Sequence, residues 1–424
     1  MLFKSRDFSQ APDVLRIGEL SVGLPARKGQ PGPSVLNGVS LTIRKGETVC
    51  LVGESGSGKS VTSLAIMGLL PKDALLVTGG QISLSDTDLL KQSQAEMHQI
   101  RARRVAMIFQ EPMTALNPVM RVGDQIMEVL DSHTDLPAEK KRARVMDILE
   151  QVHLPDVERM FRSYPHQLSG GQRQRIMIAM ALVLEPELLI ADEPTTALDV
   201  TTQQQILKLI AELQQKHGTA VLFITHDMGV VAEIADTVCV MKQGELVEQA
   251  PIETLLRQPE NDYTRRLLKA VPSLLPRPPR PAPGGPPVLR VEALDKVYGG
   301  GGLLAKQPGT HAARAVSFKV AAGRTLGIVG ESGSGKSTVA RCVMRLIDPT
   351  DGAIELKGTN IAFLGRKALR PYRRQLQVVF QDPFRSLNPR WTVGRSLCEG
   401  PINCGQSRAQ ALARAAELME LVGL

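Results

Sequence analysis

The sequence predicts an α/β fold, a mostly parallel sheet covered by helices, present once in full and a second time in part. Three observations carry this. Short continuous apolar runs, Thr48–Val52, Leu188–Ala191, Ala220–Thr225 and Thr237–Met241, have the length of strands buried on both faces. Helical patterns separate them, notably at Lys59–Leu69, Gln172–Leu184 and Thr201–Gln215. Strand–helix alternation of this kind closes into parallel pairs through right-handed crossovers. Finally, the chain repeats itself. GESGSGKS stands at Gly53–Ser60 and at Gly330–Ser337, FQEPMTALNP (Phe109–Pro118) is echoed by FQDPFRSLNP (Phe380–Pro389), and DILEQVHL, ending at Leu154, resembles ELMELVGL, ending at Leu424. Landmarks in one order at a nearly constant interval mean one domain written twice.

The repeat sets the expected organisation: a complete first copy over 1–270, a linker over 271–287 and a partial second copy over 288–424. The linker, VPSLLPRPPRPAPGGPP, is too rich in proline for helix or sheet pairing and reads as a semi-rigid spacer; a ligand for an SH3-type domain is the sharper alternative. Copy two reaches only the counterpart of Leu154, so nothing in it corresponds to Leu168 and beyond.

Composition narrows the function classes. The 43% apolar content suits large buried cores, and 3% aromatics argues against a stacking platform for nucleic-acid bases. The net charge of +8 is spread along the chain and fits an anionic ligand, a membrane surface or simply solvated faces. Cys50, Cys239, Cys342, Cys398 and Cys404 show no pairing or metal spacing, and the first two sit inside apolar runs as small buried hydrophobes. That usage fits a reducing cytoplasm. The start MLFKSRDFSQ has no apolar core, so no secretory signal is expected. No stretch approaches the roughly 20 apolar residues of a membrane span, so membrane contact is expected through a partner.

The chemistry lies in four segments. Gly53–Ser60 fits G-x-x-x-x-G-K-S between a strand and a helix. Its glycines let backbone N–H groups turn inward around phosphate oxygens, with the helix terminus adding positive potential. Lys59 is expected on the β- and γ-phosphates and Ser60 on Mg²⁺. LLIADE (Leu188–Glu193) is an apolar strand ending in two carboxylates: Asp192 is placed to hold the Mg²⁺ shell, Glu193 to orient or deprotonate the attacking water. His226, after Ala220–Thr225, suits a sensor of the terminal phosphate, although a lone histidine is more often a surface or satisfied core residue. LSGGQRQR (Leu168–Arg175) puts Ser169 and two glycines at another helix start, a second anion site. Two such sites in one domain make sense if each serves a different nucleotide across a dimer interface.

With these motifs at this spacing, copy one resembles the nucleotide-binding domain of ABC transporters over essentially Val14–Ala270. The resemblance implies a P-loop NTPase core with an antiparallel edge sheet and a helical subdomain, followed by an incomplete second copy. It makes Gly53, Ser55, Gly56, Ser57, Gly58, Lys59 and Ser60 the Walker A loop and Gln110 the Q-loop glutamine. Ser169, Gly170, Gly171 and Gln172 become the signature, Asp192 and Glu193 the Walker B end, Ala197–Asp199 the D-loop with Asp199 near nucleotide, and His226 the switch histidine. In copy two it assigns Gly330, Ser332, Gly333, Ser334, Gly335, Lys336, Ser337, Thr338 and Gln381 to ATP, with Ser337 and Gln381 joining Ser60, Gln110 and Asp192 as Mg²⁺ ligands. The aromatic that stacks on adenine falls at Tyr298 in copy two but at Leu24 in copy one, which offers packing without π-stacking.

GESGSGKS, the continuation EPMTALNP and the tail PENDYTRRLL (Pro259–Leu268) look like the dipeptide/oligopeptide (and nickel) importer branch, some members of which fuse two cassettes. This implies an ATPase coupling hydrolysis to peptide uptake at the cytoplasmic face of the inner membrane. Its partners would be transmembrane permease subunits, indirectly a periplasmic substrate-binding protein, and a second ABC domain in cis or in trans. Some members carry a cysteine cluster in this tail; no cysteine lies between Cys239 and Cys342, so no iron–sulfur cluster is expected. In this family Walker A and B of one domain close on the signature of the other, and copy two has neither signature nor Walker B. Turnover is therefore expected from two chains pairing copy one with copy one, and copy two, without its central strand, is expected to be poorly stable. A non-catalytic ATP-binding remnant and a soluble tandem ATPase acting on ribosomes or DNA are the competing classes; the proline-rich linker speaks against the latter, and no nucleic-acid partner is expected.

Overall fold

The computed structural model describes residues 6–25, 32–71, 73–110, 115–196, 198–271, 275, 278, 285–299, 309–331, 333–381 and 386–424. The chain forms two units, Met1–Arg277 and Pro278–Leu424. In the first, the elements follow in the order Asp13–Gly23 (β1), Ser34–Arg44 (β2), Thr48–Val52 (β3), Lys59–Ile66 (α1), Leu76–Leu84 (β4), Thr87–Asp88 (β5), Gln94–Ile100 (α2) and Val105–Ile108 (β6). Four helices come next, Val122–His133 (α3), Ala138–Gln151 (α4), Val157–Arg162 (α5) and Gly170–Leu182 (α6). Then come Leu188–Asp192 (β7), Val200–His217 (α7), Ala220–Thr225 (β8), Met228–Ile234 (α8), Thr237–Lys242 (β9), Glu245–Pro251 (β10), Ile252–Arg257 (α9) and Asp262–Ala270 (α10).

Among the described residues these strands form two sheets. The central one runs β10-β9-β3-β8-β7-β6, parallel throughout except for the antiparallel edge strand β10. The other, β2-β1-β4-β5, is antiparallel. The apolar runs of the sequence have a simple destination. In β3, Cys50 and Val52 join a core shared with α3–α7, while Val49 and Leu51 join a core shared with β1, β2 and β4. Phe223 and Leu222 of β8, and Leu189 and Ile190 of β7, split the same way. A strand sandwiched between two cores needs apolar residues at every position, which is why alternation is missing from its sequence. Cys50 and Cys239 are fully buried, and desolvation pushes the Cys239 thiol up to about 12, so these thiols are packing groups.

Local chemistry sets the helix ends. α6 begins at Gly170 rather than Gln172 because Ser169 accepts from the Gln172 N–H while the Gln172 side chain accepts from the Ser169 N–H, a reciprocal cap. Asp199 caps α7 by accepting from the Thr202 N–H, and Gly218 ends the helix in the left-handed region. The spacing of Val122, Ile126 and Leu130 buries one face of α3 against α4 and α5, making the helical subdomain between β6 and β7.

The second unit repeats the opening of the first: Leu289–Tyr298 (β11), Thr310–Val320 (β12), Lys336–Val343 (α11), Asp351–Leu356 (β13), Thr359–Asn360 (β14), Arg366–Arg373 (α12), Val393–Asn403 (α13) and Arg408–Leu421 (α14). Its described strands form the antiparallel sheet β12-β11-β13-β14. Thr325–Val329 and Leu376–Val379, which match β3 and β6 in sequence, are not in strands. Val329 is 92% exposed where Val52 is 1%, and Val379 is 97% exposed where Ile108 is 0%. The reason is hydrogen bonding: β3 pairs with β8 and β9, and β6 with β7. All three partners begin at or after Leu188, and these 424 residues hold no second copy of them. Limited thermolysin digestion of this chain is predicted to cut first at Leu326–Val329 and Val378–Phe380, leaving a fragment that retains Asp13–Ala270. Equal resistance of the two units would contradict this.

Candidate active site

All strands from β9 to β6 run the same way, so the segments leaving their C-terminal ends gather at one edge of the sheet. In spatial order these are the phosphate loop after β3, His226 after β8, Asp192 and Glu193 at the end of β7, and Gln110 after β6.

The loop between β3 and α1 has a geometry that requires glycine at two points. Gly53 has φ 154°, and a Cβ there would lie 2.3 Å from the Met241 carbonyl oxygen; Gly58 has φ 106°, and a Cβ there would lie 2.5 Å from Leu36 Cδ2. Around this turn the buried Lys59 ammonium donates to the carbonyls of Gly53 and Glu54, each at 2.8 Å, and to Ser57 Oγ at 3.4 Å. Burial holds its pKa below the ordinary lysine value, against the opposing pull of Glu193 and Asp192. The Ser60 hydroxyl, at the start of α1, donates to Asp192 Oδ1 at 3.4 Å. Burial pushes the Asp192 carboxyl above its usual range; the Ser60 hydroxyl opposes this and the charge of Glu193 adds to it.

Glu193 is the hub. Its backbone sits at φ 48°, a left-handed conformation that costs a non-glycine residue about 1–2 kcal/mol. The Glu193 N–H donates to the Ile224 carbonyl at 2.9 Å, which ties the turn to β8. On the β6 side Gln110 Nε2 donates to Glu193 Oε2 at 3.1 Å. On the β8 side His226 Nδ1 lies 3.1 Å from Oε1. A carboxylate only accepts, so Nδ1 carries the proton of that contact. Thr196 Oγ1 donates to Oε2 at 2.9 Å. In the sequence Thr196, three residues past the carboxylate, occupies a polar turn position with no motif of its own to mark it.

The structure thus brings Lys59, Ser60, Asp192, Glu193, His226 and Gln110 to one place. Ser169, Gly170, Gly171 and Gln172 stand elsewhere, at the exposed start of α6, where Ser169 and Gln172 bond each other. Asp199 binds the N–H and hydroxyl of Thr202, each at 3.0 Å. Ala197 lies outside the described residues. Leu24 is exposed directly after β1, an inner strand of the antiparallel sheet.

In the second unit Lys336 donates to the Gly330 and Glu331 carbonyls at 2.6 Å each and to Ser334 Oγ at 3.4 Å, the same pattern as Lys59. Gly333 and Gly335 again take positive φ. Ser337 and Thr338 open α11, Gln381 is exposed next to Phe380, Tyr298 is exposed with the Lys296 ammonium 5.1 Å from its ring, and Ser332 lies outside the described residues. No residue of this unit corresponds to Asp192, Glu193 or His226.

A strand-borne phosphate loop, a carboxylate-tipped neighbouring strand and a separate capped LSGGQ helix define an ATP-binding cassette. The family profile for ABC transporters matches residues 36–196 and 313–424, and the chain belongs to that family. It is an ABC ATPase. The chain is 45% identical over 444 residues to the glutathione import ATP-binding protein GsiA of Salmonella typhimurium, covering 97% of this chain and 71% of that protein. To its counterpart in Shigella sonnei it is 44% identical over 450 residues, covering 99% and 72%. Among solved structures, CbiO1 of Clostridium perfringens, part of the ABC transporter complex CbiONQ, is similar at 28% identity with a TM-score of 0.51, covering 59% of this chain and 92% of that one.

Glu193→Gln is predicted to lower ATP turnover by roughly 100-fold or more while leaving nucleotide binding intact, read by steady-state phosphate release and by a binding titration. Thr196→Val, which removes one of the donors to that carboxylate, should lower kcat by about 3- to 10-fold, the effect of one hydrogen bond. Unchanged turnover in Glu193→Gln would remove Glu193 from the chemistry.

Proposed function

We propose that this chain is the ATP-hydrolysing subunit of an importer for small peptides, and that Lys59, Ser60, Asp192, Glu193, His226 and Gln110 carry out the hydrolysis. The supporting observation is the placement of Glu193 between Gln110 and His226, beside the strand that bears the phosphate loop. Loop N–H groups and the Lys59 ammonium bind the β- and γ-phosphates, the ammonium exchanging its carbonyl partners for phosphate oxygens. Glu193 orients water in line with the terminal phosphorus and takes its proton. Gln110 and His226 hold the carboxylate in position from either side.

Mg²⁺ fits the donor set. The Ser60 hydroxyl and the Asp192 carboxylate lie side by side at the loop's mouth, hard oxygen donors of the kind this ion takes. Gln110 would add its amide oxygen, and in the second cassette Ser337 and Gln381 would hold the equivalent ion. When bound, Mg²⁺ neutralises charge on the β- and γ-oxygens.

The domain reading is a cassette over 1–270, a linker over 271–287 and a second cassette over 288–424. Ser169–Gln172 serves a nucleotide held by another cassette, in cis or in trans, and Asp199 lines the same junction. Gln110 and the segment after it, of which residues 111–114 lie outside the described residues, are the proposed contact with transmembrane permease subunits, which receive substrate from a periplasmic binding protein. No helix among the described residues is long and apolar enough to cross a membrane, and the chain is proposed to attach peripherally at the inner membrane through those subunits. Peptide as cargo rests on the glutathione importers it resembles.

Two outcomes are expected. ATP should drive the Glu193→Gln chain into a dimer of first cassettes, seen as a doubling of mass by light scattering; a persistent monomer would refute pairing in trans. Proteoliposomes containing the chain with its permeases should accumulate labelled glutathione or a dipeptide only with ATP, and Lys59→Ala should abolish that uptake. ATP-dependent uptake of a non-peptide solute alone would overturn the cargo assignment.

A further inference from the structure

One side chain from outside every nucleotide motif hydrogen-bonds the backbone of the phosphate loop. Tyr263 lies in α10, 209 residues beyond the loop in sequence, and its hydroxyl oxygen accepts from the Glu54 backbone N–H at 3.1 Å. The side chain is 5% exposed and packs in the core shared with the helical subdomain, with the Lys242 ammonium 5.4 Å from its ring. Its helix is well anchored. Asn261 caps α10 by accepting from the Tyr263 N–H at 2.8 Å, and Glu248 of β10 accepts from the N–H groups of Glu260 and Asn261 at 2.8 and 3.1 Å. A hydroxyl presented from so fixed a base is a rigid partner.

The consequence runs through one peptide plane. In a trans peptide the N–H and the preceding C=O point in opposite directions, and the described chain has no cis bonds. Fixing the Glu54 N–H on Tyr263 therefore aims the Gly53 carbonyl the other way, toward the Lys59 ammonium it receives at 2.8 Å. Gly53 itself, at φ 154°, has no side chain to resist rotation of that peptide, so the plane is held by its two hydrogen bonds, Lys59 on the carbonyl and Tyr263 on the N–H; a lysine that turns to phosphate leaves Tyr263 to hold it. The loop's other described anchors do not restrain this plane: Ser57 N–H donates to the Glu54 carbonyl, and Gly244 N–H to the Ser57 carbonyl.

We propose that Tyr263 is a positioning residue for ATP: it locks the Gly53–Glu54 peptide, and through it the seat of Lys59, so that the loop is ready for phosphate before nucleotide arrives. The tail helix α10 thereby belongs to the nucleotide site. The inference rests on the reading of Gly53–Ser60 as an ATP site, and a loop that samples flipped peptides binds in proportion to its competent fraction.

The test is a titration of the full chain with trinitrophenyl-ATP and Mg²⁺, in a Lys336→Ala background so that only the first loop reports. Tyr263→Phe keeps the ring in the core and removes the acceptor. It is expected to weaken affinity by about 3- to 10-fold with unchanged stoichiometry, the range for loss of one hydrogen bond. Hydrogen exchange of the peptide spanning Glu54 should quicken in the nucleotide-free variant. A merely structural role would instead lower stoichiometry at constant affinity, and that result overturns the proposal. Asn261→Ala, which loosens the helix without touching the loop, should shift affinity the same way to a smaller degree. Wild-type affinity in Tyr263→Phe, with binding abolished in Lys59→Ala, would sink the role of Tyr263 and leave the ATP site standing. Wild-type affinity in Lys59→Ala would remove the ATP site and this inference with it.

Discussion

Backbone pairing of β3 is the constraint on which the rest depends. The strand is short, is buried on both faces and finds hydrogen-bond partners on both edges, β8 on one and β9 on the other. Neither partner is local: each arrives more than 160 residues later, after a helical subdomain has been inserted. Closing that pairing costs loop entropy before any of it is returned. Once closed, it puts the phosphate loop at the same edge as the carboxylate turn after β7 and the histidine after β8. Because β7 lies between β8 and β6, Glu193 meets a partner from either side, His226 and Gln110. The geometry of the candidate site is strand order read along one edge.

The electrostatics follow from that placement. Lys59 is buried beside two carboxylates, one of which, Asp192, is itself buried and pushed toward its neutral form. An ammonium in such surroundings must be hydrogen-bonded, and the loop's own carbonyls perform this task. Arrival of a triphosphate would replace neutral carbonyl partners with charged ones, a stronger interaction for the lysine, while crowding negative charge against Asp192 and Glu193. On the proposed reading, a divalent cation held by Ser60 and Asp192 would relieve that crowding.

Much of this was legible in the residues, and the limits have physical causes. TVCLV, LLIAD and AVLFIT announce strands sandwiched between two cores because no position is spared for solvent. Lys59, Glu193 and His226 were legible as candidates because Glu193 and His226 directly follow such runs and Lys59 closes the glycine loop after β3. Helix starts were less so: the Gln172–Leu184 pattern shows the apolar stripe of α6, but the helix begins with a cap at Ser169, whose role depends on a side-chain hydrogen bond and not on periodicity. The strained φ of Glu193 and the contacts of Thr196 and Tyr263 left no pattern. Each is a meeting of segments distant in the chain or a turn conformation, and Tyr263 in PENDYTRRLL could be read only as part of a tail.

The second unit separates what is local in this architecture from what is not. Its phosphate loop closes on Lys336 with the same three hydrogen bonds that Lys59 makes, although Thr325–Val329 before it is in no strand. The shape of the loop is therefore a property of GESGSGKS itself: glycines at positive φ, a helix start and a lysine long enough to fold back. Burial is not such a property. Lys59 is buried against β7 and its carboxylates, whereas Lys336 is only half-buried and, among the described residues, hydrogen-bonds only to its own loop. A chain can thus write a phosphate cradle in eight residues, but the desolvation that sharpens its lysine and the carboxylate that would act on water have to be delivered by strands paired from far along the sequence.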